Sequence, residues 1–180
     1  MRKLCLLSGG TFDLLNPEES TFTIEDIAHA LSNLCRFGGQ VQDFYSVAQH
    51  SVLVSYMVPR EYALDGLLHD AAEAFLGDII NPVKAMLKDN YQPLEDKAHR
   101  CIAKKYSIAE TIPLEVKTAD QLALVAEVRD LTSPALYKVI LDGGLYAPGL
   151  VPGTIIPVPP AHAKLRFMKR FAYLTEGRNL

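Results

Sequence analysis

The sequence predicts an all-α fold, a bundle of about six or seven helices in a single domain spanning residues 1–180. Three observations carry this prediction. Helix-start signals recur along the chain, each followed by apolar residues three and four apart, the spacing that gathers side chains on one helical face. Glycine or proline closes or reopens the segments so marked. No internal repeat, low-complexity tract or break in composition divides the chain, and 180 residues can bury a core without a second domain.

Thr23-Ile24-Glu25-Asp26 resembles a capping box, and Ile27, Ala30, Leu31 and Leu34 follow at helical spacing, so a first helix is expected over 24–35. Gly38-Gly39 ends that unit. Ser46 opens a second helix whose apolar stripe of Val47, Val54 and Met57 also carries His50. Pro59 suits the start of a third, which has few breakers before Gly77 and holds His69, Asp70 and Glu73 on its later turns. Asn81-Pro82 reads as cap and first turn of a short helix, and Pro93 as the opening of the next, running to about Tyr106. Pro113 begins the last long pattern, where Asp120, Ala123, Leu124 and Glu127 share one face. From 141 to 160 the pattern fails among Gly143, Gly144, Gly149, Gly153 and prolines 148, 152, 157, 159 and 160. Irregular segments of that length are often lids or binding loops, and a short strand over 154–158 is an alternative. A terminal helix over 161–174 carries Phe167, Phe171 and Leu174, a stripe expected in the core or at a subunit interface.

The formal charge of −3 lacks the basic excess that grips a polyanionic backbone, which excludes a nucleic acid polymer as the expected partner. A single nucleotide stays open, because a metal ion and one or two cationic side chains neutralise one phosphate whatever the net charge. Cys5, Cys35 and Cys101 are odd in number and show no CxxC spacing, so free, mostly buried thiols are expected. The opening MRKLCLLSGG has too short an apolar run for a signal peptide, and no later run approaches a membrane span. A cytoplasmic protein without membrane contact is expected.

Chemistry concentrates at four positions. His69-Asp70 alone is weak, since lone histidines are mostly structural. Asp70, Glu73 and Asp78, however, crowd three carboxylates around the helix of His69, and such charges repel one another without a cation. His50 lies on an inward stripe, where an imidazole needs a hydrogen-bond partner or a metal. Asp120 interrupts an apolar face, where an ionised carboxylate must be paired or coordinating. Two imidazoles and two carboxylates suit one divalent metal ion, Mn, Co, Mg or Zn, with positions left for water and a phosphate oxygen. His29, His99 and His162 read as structural.

The order His50, His69-Asp70, Asp120 on successive helices resembles the HD-domain metal-dependent phosphohydrolases. The resemblance extends to Gln49-His50-Ser51, to the run from Leu67 to Ala74, to Gly77-Asp78 and Pro82-Val83-Lys84, and to Lys117-Thr118-Ala119-Asp120-Gln121-Leu122. It covers roughly residues 20–130 and is strongest toward the 5′-deoxynucleotidase branch, including prophage-borne relatives. It implies an HD-type helical bundle, metal ligation by His50, His69, Asp70 and Asp120, and a homodimer. It further implies that Glu73 serves the attacking water as general acid or base, that Asp78 supports the leaving group or substrate, and that Arg36 and Phe37 face the nucleotide. Phe37 stands where the better-known members of the branch have Trp, keeping a flat ring without the indole N–H. Lys84 is a candidate phosphate contact. The expected activity is hydrolysis of nucleoside 5′-monophosphates, deoxyribonucleotides foremost, to nucleoside and phosphate. Nucleoside triphosphate or cyclic nucleotide cleavage, and nucleotide binding without turnover, stand as alternatives.

Overall fold

The computed structural model describes residues 3–143 and 153–178, and over them the protein is predominantly helical. It opens with a feature that the sequence reading passed over, a small antiparallel hairpin of β1 (Lys3–Cys5) and β2 (Thr11–Asp13), with Leu4 opposite Phe12. Three-residue strands are too short for alternation to show. The hairpin delivers Phe12 into the core, where its ring stacks on Phe75 at 3.8 Å between centroids.

Helix α1 (Ile24–Asn33) has the expected capping box, with Thr23 and Asp26 satisfying each other's backbone N–H groups. Asp26 also accepts from the Ser8 backbone and hydroxyl, at 3.2 and 2.9 Å, and so ties the hairpin loop to the helix start. Ser46 caps α2 (Val47–Met57) by accepting from the Gln49 N–H. That sets the helical phase in which Val47, His50 and Val54 all point inward, fully buried.

The expected third helix is divided. A 3-10 turn at Arg60–Tyr62 leads into α3 (Ala63–Leu68), residues 69–72 form a tight turn, and α4 (Glu73–Leu76) ends at Gly77. Through this stretch the N–H groups of Ala71, Glu73, Ala74 and Phe75 reach back three residues rather than four, which tightens the winding where His69 and Asp70 sit. Helix α5 (Asn81–Met86) is the expected short helix. Pro93 does not open the next one: α6 (Lys88–Tyr106) starts five residues earlier and carries the proline near its beginning, forgoing one backbone bond.

Helix α7 (Leu114–Leu131) starts after Pro113 as expected, and α8 (Pro134–Asp142) follows unannounced by the sequence reading. Of the expected irregular segment, 144–152 lies outside the described residues. Residues 154–158 form no strand. Their backbone is instead held by side chains, Ile156 O accepting from the Gln49 amide, Val158 N donating to it, and Ile155 N donating to Asp130. Helix α9 (Pro160–Thr175) places Phe167 in the core with Phe171 and Leu174 packed against it.

The main core gathers Phe12, Ile27, Leu31, Leu67, Leu68, Ile102 and Phe167 from the hairpin and helices α1, α3, α6 and α9. A smaller cluster of Val54, Val116, Ala119 and Ala123 locks α2 to α7. The cysteines are free, but only Cys101 is buried; Cys35 is half-buried, and Cys5, on the edge strand β1, is exposed. Among the described residues no helix is long and apolar enough to cross a membrane.

Candidate metal centre

Helices α2 and α7, together with the turn after α3, meet at one point, and each brings a ligand type suited to metals. His50, on α2, is fully buried with its Nδ1 2.6 Å from Glu127 Oε1. His69, on the turn, has its Nδ1 2.9 Å from Gly66 O, a carbonyl that can only accept. Both contacts place the ring proton on Nδ1 and aim Nε2 into the same space, with the two Nε2 atoms 3.3 Å apart. Two such lone pairs repel unless a cation stands between them. Asp70 Oδ2 lies 3.5 and 3.2 Å from the two Nε2 atoms, and Asp120 Oδ1 lies 3.1 and 4.0 Å from them.

Donor atoms of His50, His69 and Asp120 fall within 4.8 Å of one another, a group able to hold a metal ion. Asp70 lies beside this group, close to both imidazoles. The electrostatics fit a cation. Burial raises the Asp70 pKa, yet the His69, His50 and Arg36 charges hold it well below the usual carboxylate range. Asp120 is lowered too, against its burial, by the His50 contact. Burial and Arg36 disfavour a charged His50, but Glu127 and Asp120 outweigh them and hold its pKa at about 9, so that the Nε2 proton shared with Asp120 takes the place a metal ion would fill. The residues present therefore suit a divalent metal ion in the donor chemistry of borderline first-row metals.

Glu127 is the residue whose role the sequence reading missed. It was placed on the face of Asp120, two turns along, and given no task. Its carboxylate is fully buried and is held by three segments: Arg36 Nε and one terminal nitrogen at 3.2 and 3.1 Å, the Tyr45 hydroxyl at 3.0 Å, and His50. Despite burial, the Arg36 and His50 charges keep Glu127 ionised. A carboxylate behind a ligating imidazole fixes the ring and raises its basicity. A buried acid on the same helix face as a suspected ligand was the available signal.

Arg36 starts a turn (Arg36–Gly39) in which Phe37 and Gly38 take left-handed backbone angles, φ 58° and 59°. Its guanidinium is committed to Glu127, while another nitrogen, Nη1, lies 3.7 Å from Asp70. Phe37 is half-buried, its ring 5.5 Å from the Arg36 guanidinium carbon.

Glu73, the first residue of α4, is buried beside the ligands. One of its oxygens receives Lys84 Nζ at 3.0 Å, and the other, Oε2, is buried without a hydrogen-bond partner among the described residues. Burial, then Asp70 and Asp78, raise its pKa by more than Lys84 lowers it. Lys84 also bridges to Glu95 at 3.0 Å, so its charge is engaged by two carboxylates. Burial raises the Asp78 pKa; Arg36 opposes this and Asp70 adds to it. His50, His69, Asp70, Asp120, Arg36, Glu73 and Lys84 thus collect around one centre, beside a cavity of about 430 Å³ lined by His69, Asp70, Glu73, Lys84, Lys117 and Asp120, whereas Phe37 meets it only through Arg36.

No family model matches the chain. It is 42% identical over 173 residues to the uncharacterized protein YfdR of Escherichia coli K12, spanning 93% of this chain and 91% of that one. It is 34% identical over 179 residues to an uncharacterized protein of Rhodobacter capsulatus, spanning 92% and 91%. With two relatives matched nearly end to end, the chain belongs to the protein family that includes YfdR.

Proposed function

We propose that this protein is a metal-dependent phosphohydrolase of the HD-domain type, cleaving nucleoside 5′-monophosphates, and deoxyribonucleotides in particular, to nucleoside and phosphate. The observation that supports this most is the meeting of two imidazole Nε2 atoms and two ionised carboxylates beside a buried, raised-pKa glutamate. One divalent ion held by His50, His69, Asp70 and Asp120 would supply Lewis acidity toward phosphoryl oxygen and water.

The chain's own groups divide the remaining work. Glu73 handles the proton of the attacking water at Oε2, the carboxylate oxygen left without a partner. Burial and the neighbouring carboxylates give Glu73 the proton affinity for that step, and Lys84 holds the ionised form in place. As the new P–O bond forms and the bond to the 5′-oxygen breaks, Asp78, whose pKa is also raised, supplies a proton to the departing oxygen. Arg36 offers its Nη1 edge to a phosphate oxygen, and Phe37 packs against sugar or base. Lys84 acts on the nucleotide through Glu73 rather than by touching phosphate.

The test is to strip the protein of metal, restore Mn²⁺, Co²⁺, Mg²⁺ or Zn²⁺ separately, and measure phosphate release from ribo- and deoxyribonucleoside monophosphates. Release dependent on one of these metals, faster on deoxyribonucleotides, is expected. Absence of phosphate with every metal, or products that are triphosphate or a linear monophosphate from other substrates, would replace this reading.

A further inference from the structure

On the far side of α2 from the bundle interior lies a second and larger cavity, about 900 Å³, between α2, α9 and residues 153–158. Its volume falls at the upper end of small-molecule sites. Three tyrosines line it, Tyr45, Tyr56 and Tyr173, along with aliphatic side chains of α2 and the 153–158 segment. Three cations line it too: Arg166, Lys169 and Arg170 of α9. No carboxylate does so among the described residues, and none of these three cations forms an ion pair with a described residue. A protein with a formal charge of −3 has acidic side chains to spare, so a concave, aromatic wall with only positive charge is not explained by folding.

Arg170 is set in place. Its Nε donates to the Ser55 hydroxyl at 3.0 Å and a terminal nitrogen to the Ser55 carbonyl at 2.8 Å, while the guanidinium carbon sits 3.8 Å from the Tyr56 ring centroid. A guanidinium fixed this way keeps donors for an anion at little entropic cost. Arg166 and Lys169 are exposed on the same helix, one turn and one residue before it, and add charge at the rim.

We propose that this cavity is a second ligand site, distinct from the metal centre, which takes a small organic anion with an aromatic body, in the class of nucleoside polyphosphates. The phosphates meet Arg166, Lys169 and Arg170, and the planar base lies against Tyr56 and Tyr173, the two exposed rings of the wall. The site requires no metal and no turnover, so it stands or falls apart from the phosphohydrolase reading.

The experiment is calorimetric titration of ATP, and separately of inorganic triphosphate, into the chelator-treated protein. The wild type is compared with the double variant Arg166→Glu/Lys169→Glu and with Lys117→Glu, whose exposed side chain lines the cavity at the metal centre, each checked by thermal melting. All three reversed positions are exposed, so both variants are expected to fold. ATP is expected to bind the wild type and Lys117→Glu alike, at least tenfold more weakly to the double variant, and more tightly than triphosphate. No binding by the wild type overturns the proposal. So does ATP binding that survives the double reversal, binding lost on Lys117→Glu, or triphosphate binding as tightly as ATP, which would leave the aromatic walls without a role.

Discussion

At the scale of single residues, two buried carboxylates of the centre differ in their partners, Glu127 facing His50 and Arg36, Glu73 facing Lys84. Glu127 holds His50, Arg36 and Tyr45. Replacing it by Gln removes the charge and leaves the shape, so metal affinity should fall about 10- to 100-fold, as is usual when the partner of a ligating histidine is lost. Competition with a chelating dye measures this, and unchanged affinity would reduce Glu127 to a counter-ion for Arg36. Glu73→Gln should do the reverse. It keeps the volume and a contact for Lys84, so metal content should match the wild type while kcat drops by about 10² to 10⁴, the usual contribution of a general acid or base. Metal loss would make Glu73 a ligand, and a retained rate would make it structural. Adjacency of His69 and Asp70, and the isolation of Asp120 on an apolar face, made the candidate metal group legible in the sequence. Glu127 was not, because a buried acid and a solvated one look the same until packing decides.

At the scale of elements, two junctions carry the geometry. The first is Asp26, which closes the cap of α1 and fastens the hairpin loop through Ser8. Burial works against its charge, but the hydrogen bonds from Thr23 and Ser8 prevail and hold its pKa below the ordinary value. Its contribution is therefore complete above the unfolded carboxylate pKa of about 3.9 and is lost as pH falls through the lower folded value. Asp26→Asn should cost about 1–3 kcal/mol near neutrality, with the difference from wild type shrinking below pH 4, as urea unfolding at several pH values would show. A gap constant with pH would deny the charge a part. The second junction is Gly66, where an added Cβ would meet Ser55 Cα at 3.2 Å and Val58 Cγ2 at 3.3 Å. Gly66→Ala should push α3 off α2, costing about 1–3 kcal/mol and weakening metal binding, since the Gly66 carbonyl also orients His69. An unaltered melting temperature would show that the helices give way freely. Caps and periodicity announced α1, α2, α5, α7 and α9, whereas the break between α3 and α4 has no sequence mark; it arises where the ladder shortens around His69 and Asp70. Pro93 misled because proline is tolerated near a helix start as well as at it.

At the scale of the whole molecule, the proposed metal would add a joint between α2, the turn after α3 and α7, beside the cluster of Val54 with Val116, Ala119 and Ala123 and the contacts of Glu127. A ligand bound only by the folded state adds about 2.7 kcal/mol at a hundred times its dissociation constant. Saturating Mn²⁺ or Co²⁺ should therefore raise the melting temperature of the wild type and not that of His50→Ala, which differential scanning fluorimetry would read directly. Equal shifts in both would place the ion elsewhere. The all-α class was legible because amphipathic helices dominate the chain; the second cavity was not, because its tyrosines and cations come from segments more than a hundred residues apart, with Tyr56 on α2 and Arg170 on α9.

Three side chains reach Glu127 across 91, 82 and 77 residues of sequence, from Arg36, Tyr45 and His50. A growing chain threads from the ribosome at about 5–20 residues per second, and domains fold as units once enough has emerged. Until α7 is out, His50 lacks its orienting acid and Asp120 is absent. An unfinished chain therefore exposes imidazoles without assembling the candidate metal group, which comes together only once α7 has joined α2.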